Sequence, residues 1–302
     1  MDDARAGARS TRQGRCLAGA HRLGYPCGVP TPPLQYVEAN GIRFAYFEEG
    51  AGPLALLLHG FPDTPHTWDH VRPLIAAKGY RVVTPYMRGY RPTQIPARDA
   101  DGETLARDAV ELIGALGEKT ATLVGHDWGA GTVYGATALA PERVRKLIAI
   151  GIPHPATLKP TLRQIWGVRH FGLYKLRGAP ARFARDDFAA LPAILRRWSP
   201  AWKPTAGDMA AVRECFADPA SLNAAFGYYR SLSFTPEPFL RKRIAVPTVV
   251  FSGLGDPNAS RVDYERGRRM FDGEYVIEEV PGGHFMHLEH PDAFAARLLA
   301  HL

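Results

Sequence analysis

The 302-residue chain reads as an α/β protein, with a doubly wound, mostly parallel sheet interrupted by an inserted helical segment. Short, continuously apolar runs recur along the chain and stop at Gly or Pro. Amphipathic stretches of helical spacing separate them. Between residues 155 and 240 this rhythm breaks into a helical, Arg-rich and aromatic-rich stretch punctuated by Pro.

The elements follow in chain order. Residues 1–30, rich in Arg, Gly and Ala, lack the apolar core of a secretory signal, and Asp2 and Asp3 argue against an Arg-rich presequence. Residues 1–33 are therefore expected to be a disordered tail, or the product of a start codon placed too early. From Gln35 to Phe47 polar and apolar residues alternate around Asn40-Gly41, a hairpin signal. Strand-like runs follow at Leu54–Leu58, Arg81–Thr84, Thr120–Val124, Leu147–Ile150, Thr248–Phe251 and Tyr275–Ile277. Their continuity suits strands covered on both faces. Leu105, Ala109, Leu112, Ile113 and Leu116 mark a helix that Gly117 can end. Residues 34–154 and 241–302 form the expected core, with 155–240 inserted as a helical lid over the C-terminal edge of the sheet.

Composition narrows the function classes. With 46% hydrophobic and 22% charged residues the chain is neither disordered nor fibrous, and no apolar run reaches the ~18 residues of a membrane-spanning helix. Cys16, Cys27 and Cys215 are too few and too scattered for a disulfide framework or a metal site, which fits a reducing, cytoplasmic setting. The net charge of +7 is local, +3 in residues 1–30 and +6 in residues 155–240, and no aromatic-interleaved basic motif accompanies it. Nucleic acid is therefore not an expected partner. A small apolar electrophile is, and a homodimer is an open assembly.

Four loops carry the chemistry. Gly125-His126-Asp127-Trp128-Gly129 follows a strand and opens a helix, with small residues two before and two after a central side chain. That is the pattern of a nucleophile elbow, here with a carboxylate at its centre. The same Asp127 could instead cap the helix. His59-Gly60-Phe61-Pro62-Asp63 follows an earlier strand, where a backbone N–H can join that of the residue after the nucleophile in an oxyanion hole. Phe61 and Trp128 would be the donors, with Phe61–Pro62 a candidate cis bond, although any strand end can carry such a turn. Asp256, in Gly253-Leu254-Gly255-Asp256-Pro257, can orient a histidine or simply make a turn. His284, in Gly282-Gly283-His284, is the candidate general base over His287 and His290, which are expected to face solvent or the last helix. Nucleophile, acid and histidine stand in the chain order of an elbow enzyme.

With these motifs the sequence resembles the α/β-hydrolase superfamily from about residue 34 onward, and within it the epoxide hydrolase and haloalkane dehalogenase branch. His59-Gly60-Phe61-Pro62 and Gly125-His126-Asp127-Trp128-Gly129 are most similar to epoxide hydrolases. The resemblance implies that lid residues, usually tyrosines, donate hydrogen bonds to the epoxide oxygen. Tyr229, in Tyr228-Tyr229-Arg230, matches one such place, with packing in the lid core as the alternative use of this pair. The other place falls at His170, or at Tyr174 one turn later. Two departures stand out: His170 where a tyrosine is usual, and Tyr86 in Pro85-Tyr86-Met87-Arg88-Gly89 where an aspartate is usual. Phe61 stands where haloalkane dehalogenases carry Asn or Glu, and Trp128 where fluoroacetate-type relatives carry Arg.

The implied reaction is opening of an epoxide to a vicinal diol through an ester on Asp127, without cofactor or metal. His284, oriented by Asp256, would activate the water that cleaves the ester. The alternatives are haloalkane or haloacid dehalogenation by the same residues, or a ligand-binding protein with an inactive hydrolase site.

Overall fold

The computed structural model describes residues 31–302, apart from positions 160 and 234. The expected tail, residues 1–33, lies almost wholly outside the described residues. Strands β1 (Gln35–Ala39) and β2 (Ile42–Glu49) form the hairpin. Asn40 and Gly41 both take positive φ, +42° and +76°, the conformation a two-residue turn needs to follow the twist of its strands.

Six further strands follow: β3 (Leu54–Leu58), β4 (Arg81–Pro85), β5 (Ala121–His126), β6 (Val144–Ile150), β7 (Thr248–Gly253) and β8 (Tyr275–Val280). They complete an eight-stranded sheet in the order β1-β2-β4-β3-β5-β6-β7-β8. β2 pairs antiparallel with β1 and β4, and every other pairing is parallel.

Alternate residues of the central strands enter different cores. Leu54, Leu56 and Leu58 of β3, with Leu147 and Ala149 of β6, face one side. There they meet α2 (Gly102–Ala115) and α3 (Trp128–Leu139). Ala55 and Leu57, with Ile148 and Ile150, face the other side, against α1 (Val71–Ala77) and α13 (Pro291–Ala300). Both faces are apolar, which is why the runs are continuous and not alternating. Helix α2 starts at Asp101, whose carboxylate accepts from the Thr104 N–H at 2.8 Å. It ends as expected at Gly117, at φ +82°, with Gly117 N–H donating to Gly114 and Glu118 N–H to Ile113.

Seven short helices stand between β6 and β7: α4 (Leu162–Gly167), α5 (His170–Tyr174), α6 (Ala179–Phe183), α7 (Arg185–Phe188), α8 (Leu191–Trp198), α9 (Ala210–Phe216) and α10 (Pro219–Ser231). After β7 come α11 (Arg261–Gly267) and, following β8, α12 (Met286–Glu289). No helix among the described residues is long and apolar enough to cross a membrane.

The loop after β4 is tied to its surroundings by a buried ion pair. Arg88 Nε donates to Asp108 Oδ2 at 2.8 Å, its Nη2 donates to Asp108 Oδ1 and to the Asn40 carbonyl, and Asn40 Nδ2 donates to Asp108 at 2.7 Å. The Arg88 carbonyl in turn accepts from Tyr228 Oη on α10, at 2.6 Å. Hairpin, α2 and inserted helices thus meet on one arginine. Asp108→Ala strands that guanidinium in the core and is expected to cost about 3–5 kcal/mol, to be read from denaturant midpoints. A loss below ~1 kcal/mol would show that the pair is not buried in solution.

Candidate active site

Asp127 sits between β5 and α3 at φ +52° and ψ −115°, a sparsely populated conformation for a residue with a side chain. It makes no side-chain bond to the helix, so it does not act as a cap. The neighbouring glycines do not take positive φ; what they supply is room. A Cβ on Gly125 would stand 2.2 Å from the Gly129 carbonyl oxygen, and one on Gly129 would stand 2.2 Å from that of Leu58. The sharp turn is carried by Asp127 itself.

Two groups converge on the Asp127 carboxylate. The Phe61 N–H donates to Oδ1 at 2.9 Å, and the Phe61–Pro62 bond is cis, as expected. His284 Nε2 lies 3.3 Å from Oδ2, and His284 Nδ1 lies 3.0 Å from Asp256 Oδ2. Asp256 is held in turn by the Asn258 N–H on Oδ1, at 2.8 Å. Trp128 is the first residue of α3, where a backbone N–H has no partner within the helix.

Burial alone would raise Asp127 and lower His284. The hydrogen bond and charge of His284 outweigh it at Asp127, which is held below the ordinary carboxylate value. The Asp256 and Asp127 carboxylates outweigh it at His284, which is raised to about 10. The resting site is therefore a carboxylate–imidazolium–carboxylate row. Because the folded value of His284 exceeds its ordinary 6.5, its stabilising contribution is complete below that pH and is lost as pH climbs toward 10. The Asp127 contribution runs the other way, present above its ordinary 3.8 and lost on acidification. The stability difference between wild type and His284→Gln should accordingly shrink by a few kcal/mol between neutral and strongly alkaline pH. A constant difference in thermal scans over that window would show that His284 is not charged at rest.

Several residues that sequence reasoning did not assign support this row. The His284 N–H donates to the Trp198 carbonyl at 2.9 Å, and the Phe285 N–H donates to Ser199 Oγ at 3.0 Å. The end of α8 therefore holds the histidine loop. His59 is fixed in one tautomer by the backbone. Its Nε2 accepts from the Met87 N–H at 3.1 Å, so its Nδ1–H faces the Gly60 carbonyl at 2.9 Å. Burial lowers it to about 4, so it stays neutral. Apart from the His59–Gly60 contact, each of these joins residues whose neighbours in sequence say nothing of the partner.

Behind the row, His287 takes the second of its two expected places, against the last helix and not in solvent. It is buried, stacks on Trp68 at 5.3 Å between ring centroids and lies 2.6 Å from Thr67 Oγ1, and it also touches Phe294 of α13. Only His290 is exposed. Asp63, His126 and His287 bring one donor atom each within 4.8 Å of one another, a grouping that by residue type and spacing could hold a metal ion. His126 Nε2 faces the His284 carbonyl at 3.0 Å and must carry the proton there, which leaves Nδ1 as a lone pair. Burial raises Asp63 to about 7, so its carboxyl is partly protonated near neutrality. A proton on Asp63 gives the buried group a donor without any ion.

On the side of the inserted helices, Tyr229 lies with its ring 5.3 Å from Phe61, 5.1 Å from Trp128 and 5.1 Å from Tyr174. Its hydroxyl is buried without a hydrogen-bond partner, as are both ring nitrogens of His170. Tyr228, by contrast, spends its hydroxyl on Arg88. Burial, and after it the Asp127 charge, push the Tyr229 phenol well above its ordinary value. Burial lowers His170 to about 3, with Asp127 acting against it, whereas Asp127 has no part in the upward shift of Tyr174. Asp127 is thus felt at Tyr229 and His170.

Residues 53–291 match the alpha/beta hydrolase fold family. The chain is 30% identical to epoxide hydrolase A of Mycobacterium tuberculosis, over 91% of this chain and 98% of that one. It is also 30% identical to the AB hydrolase superfamily protein YfhM of Bacillus subtilis, over 89% and 97%. Among solved structures, the epoxide hydrolase of Bacillus megaterium in complex with an inhibitor superposes with a TM-score of 0.79 at 26% identity, covering 88% of this chain and 99% of that one.

Proposed function

Because the chain belongs to the α/β-hydrolase fold family, we propose that it opens a small apolar epoxide to a vicinal diol, with Asp127 as the nucleophile. The observation that carries this reading is the carboxylate at the elbow, held between the Phe61 N–H and His284, with unpartnered donors at Tyr229 and His170 on the facing helices. A carboxylate suits attack at a saturated carbon, where the leaving oxygen departs in the same step. The ring oxygen leaves only if its growing charge meets a donor.

The proton count closes with water as the one co-substrate. Asp127 bonds to an epoxide carbon and the C–O bond breaks. Tyr229 donates to the alkoxide, and the proton it needs is made good by the His284 imidazolium. His284 is then neutral, and esterification has removed the Asp127 charge that had favoured its protonated form. Neutral His284, oriented by Asp256, deprotonates a water that adds to the ester carbonyl. The Phe61 and Trp128 N–H groups stabilise the oxyanion. The diol leaves, and the imidazolium and carboxylate are restored together. The apolar surround of Phe61, Phe171 and Tyr174 supports an apolar substrate, and the sparse cysteines support a cytoplasmic setting.

Neutral His170 carries a proton on only one of its two unpartnered ring nitrogens. Tyr229 therefore carries the larger share of the stabilisation. Tyr229→Phe is expected to lower kcat/KM on styrene oxide by about 10²-fold, and His170→Phe by less. The same preparations, offered a bromoalkane, test the reading as a whole. Diol release without bromide release supports it. Bromide release in preference to diol would make the chain a dehalogenase, and binding of either compound without turnover would make it a ligand-binding protein.

A further inference from the structure

The segment that turns His170 and Tyr174 inward presents a different face to solvent. Leu158, Leu162, Ile165, Trp166, Leu173 and Leu176 are each 50–86% exposed. From Leu162 onward they recur every three to four residues, apart from the place taken by Arg169, along α4, α5 and the turn after it, whereas His170 and Tyr174 of the same segment are buried. Arg169 lies within the same stripe, its guanidinium 4.4 Å from the centroid of the Trp166 ring. Gln164 Nε2 donates to Asp263 on α11 at 2.8 Å, which brings exposed Val262 to the margin of the patch.

Charge says what such a face fits. Residues 155–182 carry six Lys or Arg and no Asp or Glu. Asp263, the acid at the margin, is already paired with Arg266 at 2.9 Å. A second copy of the chain docking here about a two-fold axis would set these cations against themselves. An anionic lipid surface meets both properties at once, because leucine and tryptophan side chains enter the interface while lysine and arginine reach the headgroups. We infer that the α4–α5 face docks on the surface of an anionic bilayer, with the inner side of the same helices turned toward Asp127. The inference stands on this surface alone and does not depend on the identity of the substrate.

Co-sedimentation of the full chain with vesicles tests it. Binding to phosphatidylcholine vesicles containing phosphatidylglycerol is expected to exceed binding to phosphatidylcholine alone by about tenfold or more, and to weaken in high salt. Trp166 is the most exposed of the five tryptophans, so its emission should shift to the blue on binding. Trp166→Glu with Leu173→Glu should abolish both signals while leaving turnover of a water-soluble epoxide unchanged. Lys159→Glu with Arg177→Glu should reduce binding and leave the apolar stripe intact. Absence of binding, or equal binding to neutral vesicles, overturns the inference. So does a dimer in light scattering that the Trp166→Glu, Leu173→Glu variant dissociates, since the face would then belong to a second copy.

Discussion

Asp127→Ala is expected to lose turnover by roughly 10⁴-fold or more, because the first bond of the reaction has no other carboxylate to form it. Asp256 is committed to His284 and to the Asn258 N–H. Tyr229 and His170 would still polarise an epoxide but would have no nucleophile to assist. The change costs no helix cap but leaves the Phe61 N–H and His284 without their partner, so folding of the variant is checked by circular dichroism. Asp127→Asn is the isosteric control, keeping an oxygen for the Phe61 N–H while removing the charge. In the wild type, a single turnover in ¹⁸O-water should leave label in the Asp127 carboxyl, because water attacks the ester carbonyl and not the substrate carbon. Label found only in the diol, with none in the peptide containing Asp127, would rule out the covalent route.

His284→Gln should separate the two halves of the reaction. Ring opening needs the carboxylate and Tyr229, whose proton solvent must restore once His284 is gone; ester hydrolysis needs a base within reach of water, and His284 is the imidazole in contact with Asp127. Steady-state turnover is expected to fall by about 10²–10⁴-fold. Intact protein mass should rise by one substrate equivalent and stay raised. The experiment belongs on the alkaline side of neutrality. Without the imidazolium, burial pushes the Asp127 carboxyl upward, and it must be ionised to attack. Substrate consumption without an adduct would contradict the two-step scheme.

Much of this molecule is legible in one dimension because its causes are local. Leu54–Leu58 declares a doubly covered strand by having no polar residue to expose, and Asn40-Gly41 declares a turn by tolerating positive φ. The spacing around Asp127 declares an elbow because two chain crossings leave no space for a side chain at positions 125 and 129. Other features have causes that lie far along the chain. His287, expected at the surface or against the last helix, does meet Phe294 of that helix, but its burial comes also from Trp68 and Thr67, more than two hundred residues away. Whether His170 or Tyr174 serves as the second donor depends on where the inserted helices stand over Asp127, and no spacing reports that.

Sequence alone therefore determined which residue types stand at the ends of which strands, since apolar periodicity and turn chemistry are properties of neighbours in the chain. Tertiary structure decided the protonation of His284, the tautomer of His59 and which donors were left unpartnered at Tyr229 and His170. Those depend on burial and on charges brought within a few ångströms by folding, and neither quantity exists until distant segments meet.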